Sequence, residues 1–208
     1  MTAFKICGIT READAALAVS LGAAALGFVL WPGSPRHVPL DRVRLIVETL
    51  PPFVTPVGVF VDPGADDIAR AARAGIRLAQ VHGAAPATSS LPVLRAVHVG
   101  DNADGLDAEV GPLEAVLLDA YDPVRHGGTG RTVDFRRAAA VASRRRVVLA
   151  GGLTPANVAD AITSVRPYAV DVASGVEAEP GVKDPIKLRA FANAVRAADG
   201  PEGTDGTR

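Results

Sequence analysis

The sequence has a single cysteine, Cys7, together with one tryptophan, two tyrosines and six phenylalanines. One thiol can form neither an internal disulfide nor a cysteine-rich zinc site, so we expect a reducing, cytoplasmic setting. The longest apolar run, residues 23–31, has nine residues, whereas a helix needs about 20 to cross a bilayer. The first residues, MTAFKICGIT, also lack the basic start and apolar run of a signal peptide. No membrane partner is predicted.

Charge of either sign is not in excess, since 22 Lys and Arg stand against 23 Asp and Glu, for a net charge of −1. There is therefore no basic surplus for a nucleic acid or an anionic membrane. Hydrophobic residues make up 48% of the 208 positions, enough for a packed core. We expect one domain over residues 1–199, and a mobile tail over residues 200–208, which contain no apolar residue.

Eight short apolar runs recur along the chain, and most are followed by a turn residue and then by a segment with helical spacing. Runs with so little alternation favour parallel strands that are covered on both faces. The runs are residues 4–7, 25–30, 56–61, 78–82, 95–99, 115–118, 147–150 and 169–173. Eight strand and helix pairs in this length favour a closed (β/α)8 barrel. A doubly wound sheet would carry a glycine-rich turn after its first strand, and that turn is missing.

The helices are less clearly marked than the strands. Apolar spacing predicts a stripe on the first helix made of Ala13, Ala16, Leu17, Leu21 and Ala24. After the seventh run, Thr154 is a plausible N-cap with Pro155 at the first helical position. Gly, Pro and Ser interrupt residues 84–92 and 100–112, where we expect short or irregular helices.

The carboxyl ends of barrel strands carry the chemistry of this fold. Cys7 ends the first run, and Lys5 lies on the same face because side chains alternate along a strand. An ammonium there, with nearby helix N-termini, would lower the pKa of the thiol, which favours a base or nucleophile over a small buried residue. Asp119 ends the sixth run. Alone it is equally well a turn cap, but with Cys7 it gives an acid and a base over one barrel mouth.

Three glycine clusters follow the last three strands, where backbone N–H groups can approach an anion closely. The predicted phosphate-binding residues are Gly128, Gly130, Gly151, Gly152, Ser174 and Gly175. Arg36, in the loop after the second strand, can clamp a carboxylate with two parallel hydrogen bonds, although a solvated surface arginine explains it equally. Together these features predict a small phosphorylated substrate.

Two further strand residues are candidates for substrate contact. Asp171 is predicted to point inward on the last strand, beside Lys5, so that a buried ion pair and a substrate contact both remain open. His82 ends the fourth run and is expected to orient or fill the site. His82, His98 and His126 have no acidic partner at metal-ligand spacing, so no metal site is predicted.

Eight motifs in the same order resemble the phosphoribosylanthranilate isomerase family of tryptophan biosynthesis. They are KICGI (5–9), SPR (34–36), VGVF (57–60), QVHG (80–83), LLD (117–119), GGTG (127–130), LAGGL (149–153) and VDVASGVE (170–177), the last followed by PG (180–181) and KD (183–184). The match runs from residue 5 to residue 184, and the length fits as well. Ala173 stands where the family commonly has another serine, and Val81 where it often has leucine.

The resemblance implies a (β/α)8 barrel that carries out an Amadori rearrangement of N-(5-phosphoribosyl)anthranilate, with no cofactor and no metal. Cys7 would be the general base that takes the C2 proton. Asp119 would be the general acid that protonates the ring oxygen and opens the furanose. Arg36 would hold the anthranilate carboxylate, and the glycine loops with Ser174 would hold the phosphate.

Other interpretations of the barrel remain. A pentose-phosphate epimerase would have metal-binding histidines at its strand ends, and the dual-substrate isomerase of histidine and tryptophan synthesis has an aspartate at the position of Cys7. A non-catalytic phosphate-binding barrel would have lost Cys7, Asp119 or the glycines. The sequence leaves open whether the protein is a monomer or a homodimer.

Overall fold

The computed structural model describes residues 1–98, 115–119 and 135–200. Its eight parallel strands close into a barrel in chain order. They are β1 (Ala3–Cys7), β2 (Ala25–Val29), β3 (Thr55–Val61), β4 (Leu78–His82), β5 (Val93–His98), β6 (Val116–Asp119), β7 (Val147–Ala150) and β8 (Ala169–Val172). Each predicted run overlaps one of these strands, so the predicted (β/α)8 barrel is confirmed.

Helices follow the strands on the outside of the barrel. In the described ranges they are α1 (Glu12–Ser20), α2 (Leu40–Val47), α3 (Ala65–Arg73), α4 (Phe135–Ala142), α5 (Val158–Val165) and α6 (Pro185–Ala198). A short 3-10 turn (Ser174–Val176) leads from β8 into an antiparallel hairpin of β9 (Glu177–Glu179) and β10 (Val182–Lys183), which we call the 177–183 hairpin. None of the helices described is long and apolar enough to span a membrane. Residues 201–208 of the predicted tail lie outside the described residues.

The hydrophobic core has an outer and an inner part. The outer part lies between the strands and the helices, and it includes the fully buried Ile6, Leu26 and Phe191. The inner part consists of two small clusters inside the barrel, one of Cys7, Val29 and Val59 and one of Leu94, Leu117 and Ala150. In the described residues the interior of the barrel is therefore filled with side chains, as in other barrels of this fold.

A buried polar group joins the first and last strands inside the barrel. Lys5 and Asp171 are direct neighbours in the register of β1 and β8. Lys5 Nζ donates to Asp171 Oδ2 at 3.0 Å and to Gln80 Oε1 at 2.9 Å, which confirms the predicted pair. Burial lowers the pKa of Lys5, but Asp171 and the Cys7 sulfur outweigh it, so the pKa lies above its ordinary value.

Gly27 makes room for these side chains on the neighbouring strand. A Cβ atom at Gly27 would lie 2.8 Å from Cys7 Sγ and 3.0 Å from Lys5 Cε. The first distance is too short for a real contact, and the second would require the Lys5 side chain to shift by a few tenths of an ångström. A glycine at this point of β2 is therefore what allows Lys5 and Cys7 to point into the barrel together.

The stripe predicted for the first helix is confirmed at Leu17 and Leu21, which pack on the core, and is wrong at its three alanines. Asp14, Ala15 and Ala18 are buried, whereas Ala13 and Ala16 are exposed. Alanines lie on every face of this short helix, so apolar spacing does not select one. The carboxylate of Asp14 decides the orientation, because it accepts hydrogen bonds from an arginine three residues earlier and from the backbone of the 177–183 hairpin.

The predicted start of α5 is also wrong. The helix begins at Val158 with Asn157 at the N-cap, and Thr154 and Pro155 lie in the preceding turn. Asn157 Oδ1 accepts the Thr154 N–H at 2.7 Å, and Asn157 Nδ2 donates to Gly152 O at 3.0 Å. The amide side chain thus folds the loop back before the helix begins, which a motif of Thr followed by Pro does not reveal.

Residues 84–92, all of which are described, contain bends and no helix, so the short helix predicted there is wrong. Pro86 and Pro92 remove backbone donors from this stretch. Ser89 Oγ accepts the Leu91 N–H at 3.2 Å and donates to Leu91 O at 2.7 Å, in place of a helical turn. The second stretch, residues 100–112, lies outside the described residues.

Replacing Lys5 with Met leaves Asp171 buried without its cation, so we expect the free energy of unfolding to fall by ~3–5 kcal/mol. Urea denaturation followed by circular dichroism measures this. The matched control is Arg44→Met, whose partner Glu48 lies in an exposed pair, with side chains 68% and 58% accessible; its loss should cost less than ~1 kcal/mol. A loss for Lys5→Met no larger than that of the control would contradict the prediction.

Candidate active site

A cavity of about 220 Å³ opens at the carboxyl ends of the strands. It is lined by seven of the predicted site residues: Cys7, His82, Asp119, Gly151, Gly152, Asp171 and Ser174. These residues come from four strand ends and from the turns that follow β7 and β8. The barrel therefore brings the predicted base, the predicted acid and part of the predicted phosphate loop to one cavity.

The other predicted phosphate residues are not seen at this cavity. Gly128 and Gly130 lie outside the described residues. Gly175 does not line the cavity, but a Cβ atom there would lie 1.9 Å from Leu153 O. Glycine thus allows the turn after β8 to approach the loop after β7. In that loop, Gly151 and Gly152 have φ values of +89° and +63°, which favour glycine.

A larger cavity, of about 320 Å³, lies beyond the ends of β2 and β3 and is lined by Trp31, His37, Phe60 and Asp62 among others. It contains none of the predicted site residues. Chemistry, not size, therefore points to the smaller cavity as the candidate active site.

Cys7 lies at the end of β1 with its side chain almost wholly buried. Burial raises the pKa of the thiol, and the Asp171 carboxylate raises it as well. Lys5 and Lys183 lower it by less, so the net shift is upward. The predicted lowering is therefore wrong, because desolvation of the thiolate outweighs the neighbouring ammonium groups. At neutral pH the group is a thiol, and a role as base requires it to lose that proton at the site.

Gln80 sets the hydrogen bonding of His82. Because Lys5 can only donate, it fixes Gln80 Oε1 on its own side, at 2.9 Å, and turns Gln80 Nε2 toward His82. Gln80 Nε2 lies 3.0 Å from His82 Nε2, which therefore accepts. The proton of a neutral His82 ring is then at Nδ1. The buried lysine thus determines which nitrogen of the imidazole carries hydrogen.

Asp171 has one oxygen for each of its two predicted roles. Its Oδ2 accepts from Lys5, while its buried Oδ1 has no hydrogen-bond partner among the described residues. Asp171 also lines the cavity. A structural ion pair and a ligand contact are therefore compatible, because they use different oxygens.

Arg36 packs beside the cavity and is held by Glu177. Its Nε donates to Glu177 Oε1 at 2.9 Å and its Nη2 donates to Glu177 Oε2 at 2.6 Å. Its Cδ would lie 2.8 Å from a Cβ on Gly8, so the side chain lies over the residue after Cys7. Within the described part of the chain, Arg36 Nη1 bonds nothing, which leaves one edge of the guanidinium for a ligand.

Glu177 is a carboxylate with two cationic partners. Burial raises its pKa, but hydrogen bonds from Arg36 and Lys183 more than compensate, so the pKa lies below its ordinary value. Lys183 Nζ is fully buried and donates to Glu177 Oε1 at 2.8 Å. The group therefore stays ionised and holds Arg36 in one orientation.

Sequence reasoning assigned no role to Gln80, Glu177 or Lys183, although each stands in a quoted motif. Two signals were available. Gln80 shares a strand face with His82, and Glu177 and Lys183 flank a Pro-Gly turn at a spacing that a short hairpin brings together.

The profile of N-(5'phosphoribosyl)anthranilate (PRA) isomerase matches residues 4–194. The chain belongs to this isomerase family. A relative from Chromohalobacter salexigens named N-(5'-phosphoribosyl)anthranilate isomerase is 48% identical over 207 residues, which cover 96% of this chain and 97% of that protein. The matched range contains all eight motifs and every residue that lines the cavity.

Two solved members of the family are similar in structure. A phosphoribosyl anthranilate isomerase in complex with reduced 1-(o-carboxyphenylamino)-1-deoxyribulose 5-phosphate gives a TM-score of 0.80 at 36% identity, covering 94% of this chain and 99% of that chain. A structure of monomers generated from the dimeric isomerase of Thermotoga maritima gives a TM-score of 0.80 at 35% identity, covering 94% and 99%. In the described ranges of our chain, no group of three or more His, Cys, Asp or Glu residues could hold a metal ion.

The raised pKa of Cys7 can be measured directly, because the chain has one cysteine. We expect iodoacetamide to alkylate folded Cys7 with a rate that is half-maximal above pH 9.0, the ordinary value for the thiol. The same chain unfolded in urea is the control and should titrate at the ordinary value.

The raised pKa of Cys7 also makes the stability of the folded protein depend on pH. Since the unfolded thiol ionises first, the contribution of Cys7 to folding is present below its ordinary pKa and declines as the pH rises through the raised folded value. If the alkylation rate of the folded chain is half-maximal at or below the pH found for the unfolded chain, desolvation does not dominate the pKa of Cys7.

Proposed function

We propose that this protein is the isomerase that converts N-(5'-phosphoribosyl)anthranilate into 1-(2-carboxyphenylamino)-1-deoxyribulose 5-phosphate in tryptophan biosynthesis. The observation that carries the proposal is the single cavity lined by Cys7, Asp119, Asp171 and Ser174. A thiol, two carboxylates and a glycine-flanked hydroxyl are the groups that an acid-base rearrangement of a sugar phosphate needs.

Asp119 acts first, as the general acid. Its carboxylic acid gives a proton to the ring oxygen of the furanose, the bond between C1 and that oxygen breaks, and the anthranilate nitrogen supplies the electron pair for a C1=N iminium. Asp119 stands at the end of β6, three strands around the barrel from Cys7. The proposed acid and base can therefore approach the sugar from different sides.

Cys7 acts second, as the general base. The Cys7 thiol first gives its proton to water at the mouth of the cavity, and the resulting thiolate then removes the C2 proton, which the iminium has made acidic. The electrons of the C2–H bond form a C1=C2 double bond, and those of the iminium return to nitrogen. The resulting enolamine becomes the ketone by losing the hydroxyl proton at C2 and gaining a proton at C1. No atoms are lost or added overall, as an isomerisation requires.

The remaining residues bind and orient the substrate. The free edge of Arg36 receives the anthranilate carboxylate, and Glu177 fixes the plane of the guanidinium. The phosphate is held by Ser174 and by the backbone at Gly151 and Gly152. The same role for Gly128, Gly130 and Gly175 stays a prediction from the sequence. Asp171 Oδ1 and the His82 ring hydrogen-bond the sugar, a role supported by their position in the lining of the cavity.

Some expectations from the sequence stay predictions. These are a barrel domain over residues 1–199, a mobile tail over residues 200–208, a cytoplasmic location, the lack of a cofactor, and a monomer or a homodimer as the assembly. A second phosphosugar substrate on the same barrel is the alternative activity. Size-exclusion chromatography with light scattering distinguishes the assemblies, and a screen of pentose phosphates tests the alternative substrate.

Replacing either proposed proton-transfer group should remove most of the activity. We expect Cys7→Ser and Asp119→Asn each to lower kcat by ~10²–10⁴-fold, because each change removes one general acid or base. The decay of substrate fluorescence, with the substrate generated from anthranilate and phosphoribosyl pyrophosphate, follows the reaction. Asp160→Asn, on the exposed side of α5, is the matched control and should turn over like the wild type. Turnover near the wild-type rate in either active-site variant would remove that residue from its role.

Arg36→Ala should act on binding. Hydrogen bonds to a charged group contribute about 1.5–3 kcal/mol, so we expect KM to rise by ~10-fold to 100-fold while kcat changes less. Steady-state kinetics with the same fluorescence assay separates the two constants. Arg73→Ala, an exposed arginine of α3, is the control. An unchanged KM in Arg36→Ala would show that this guanidinium does not bind the substrate.

A further inference from the structure

Lys183 is a buried cation that the proposed reaction does not use. Its side chain is fully buried, and its Nζ donates three hydrogen bonds: to Cys7 O at 2.5 Å, to Glu177 Oε1 at 2.8 Å and to Ala173 O at 3.3 Å. An ammonium group has three N–H donors, so every one of them has a partner. Burying an ammonium group costs free energy, and here the cost is offset because all three N–H groups have acceptors. Few positions in a protein meet this requirement.

The two carbonyl groups that Lys183 binds belong to neighbouring strand ends. Cys7 ends β1, and Ala173 follows β8, directly before Ser174. Parallel strands are not tied to each other beyond their last ladder hydrogen bond. The ammonium therefore joins the strand end that carries the proposed base to the turn that carries the proposed phosphate ligand.

The third partner extends the link to Arg36. Glu177 binds Lys183 through Oε1 and Arg36 through both carboxylate oxygens. One lysine thus contacts, directly or through one carboxylate, the elements assigned to the base, the phosphate and the anthranilate carboxylate.

Lys183 is itself held in place through the 177–183 hairpin. Its backbone N–H donates to Asp14 Oδ2 at 3.1 Å, and Thr10 Oγ1 donates to Gly181 O at 2.6 Å. At the other end of the hairpin, Lys187 Nζ donates to Glu177 O at 2.8 Å. The hairpin is therefore fixed to α1 and to the loop before it, which gives Lys183 a rigid base.

We infer that Lys183 is a positioning residue for the isomerisation: it fixes the backbone of Cys7 relative to the Ser174 turn and, through Glu177, relative to Arg36. The inference rests on the proposed function, because that function makes Cys7 the base. Lys183 does not touch the reacting atoms. Its effect is to hold the sulfur at the distance and angle that proton removal from C2 requires.

The charge of Lys183 gives a second, independent readout. The groups that act on the Cys7 thiol are Lys5 on β1, Asp171 on β8, Lys183 on β10 and the nearby Arg36. Lys5 and Lys183 favour the thiolate, whereas burial and Asp171 oppose it. Burial also lowers the pKa of Lys183 itself, so its ammonium favours the thiolate only while it stays charged. Over that range, removing it moves the pKa of Cys7 further upward, which a role in packing alone would not do.

The test compares Lys183→Met with Lys187→Met. Both changes remove a lysine that donates to a carbonyl of this region, but only Lys183 reaches Cys7. We expect Lys183→Met to lower kcat on the order of 10²-fold, since a misplacement of about 1 Å costs this much, and to raise KM as well, because the Ser174 turn and Arg36 lose the same link. Its alkylation by iodoacetamide should be half-maximal at a higher pH than in the wild type. Lys187→Met removes one anchor of the hairpin but no charge beside Cys7, so we expect it to lower kcat less than Lys183→Met does and to leave the alkylation profile unchanged.

Folding is controlled by a second variant. If Lys183→Met does not fold, Lys183→Met with Glu177→Gln removes the uncompensated carboxylate as well, and the alkylation profile of that double variant is compared with Glu177→Gln alone. A further alkaline shift in the double variant supports the inference, and coincident profiles overturn it.

The two proposals fail in different ways. Wild-type protein without turnover overturns the proposed function, and with it the reaction that Lys183 is said to serve. An active wild type, with a folded Lys183→Met variant of unchanged kcat and unchanged alkylation profile, overturns the positioning role alone.

Discussion

The ion pair between Lys5 and Asp171 joins the two strands at which the barrel closes. β1 and β8 are far apart in the chain and adjacent in the sheet, and these two residues face each other in register. Burying the Lys5 ammonium costs free energy, and this cost is offset only where the Asp171 carboxylate lies at hydrogen-bond distance. The pair therefore favours one register for the closing strands. That register also places Cys7 and Ser174 beside each other at the mouth, so the arrangement of the cavity depends on it.

Strand positions were predictable from the sequence, and the buried face of α1 was not. The eight strands are buried on both sides, so each one stands out as an apolar run whatever its neighbours are. A helix has to be recognised from a periodic difference between its faces, and α1, with alanines all round, has none. Its buried face is decided by Asp14, whose partners include a backbone group 169 residues away. Contacts of that kind cannot be read from local spacing.

The candidate site shows the same division. Residues that end a strand, such as Cys7 and Asp119, were predictable from alternation and from the known geometry of barrels. The direction of the shift in the Cys7 pKa was not, because it depends on how far burial outweighs the nearby charges. The partners Gln80, Glu177 and Lys183 also required the three-dimensional structure. Each of them acts through contacts with residues that are far away in the chain, and the sequence alone does not show which residues these are.

The high pKa of Cys7 affects the chemistry of the resting protein with oxidants. The thiolate, not the thiol, attacks peroxides and disulfides, so a buried neutral cysteine reacts with them slowly. The chain has no second cysteine that could capture a sulfenic acid as a disulfide, and over-oxidation of the sulfur would be irreversible. The desolvation that keeps a proton on Cys7 between turnovers therefore also preserves it from permanent chemical damage.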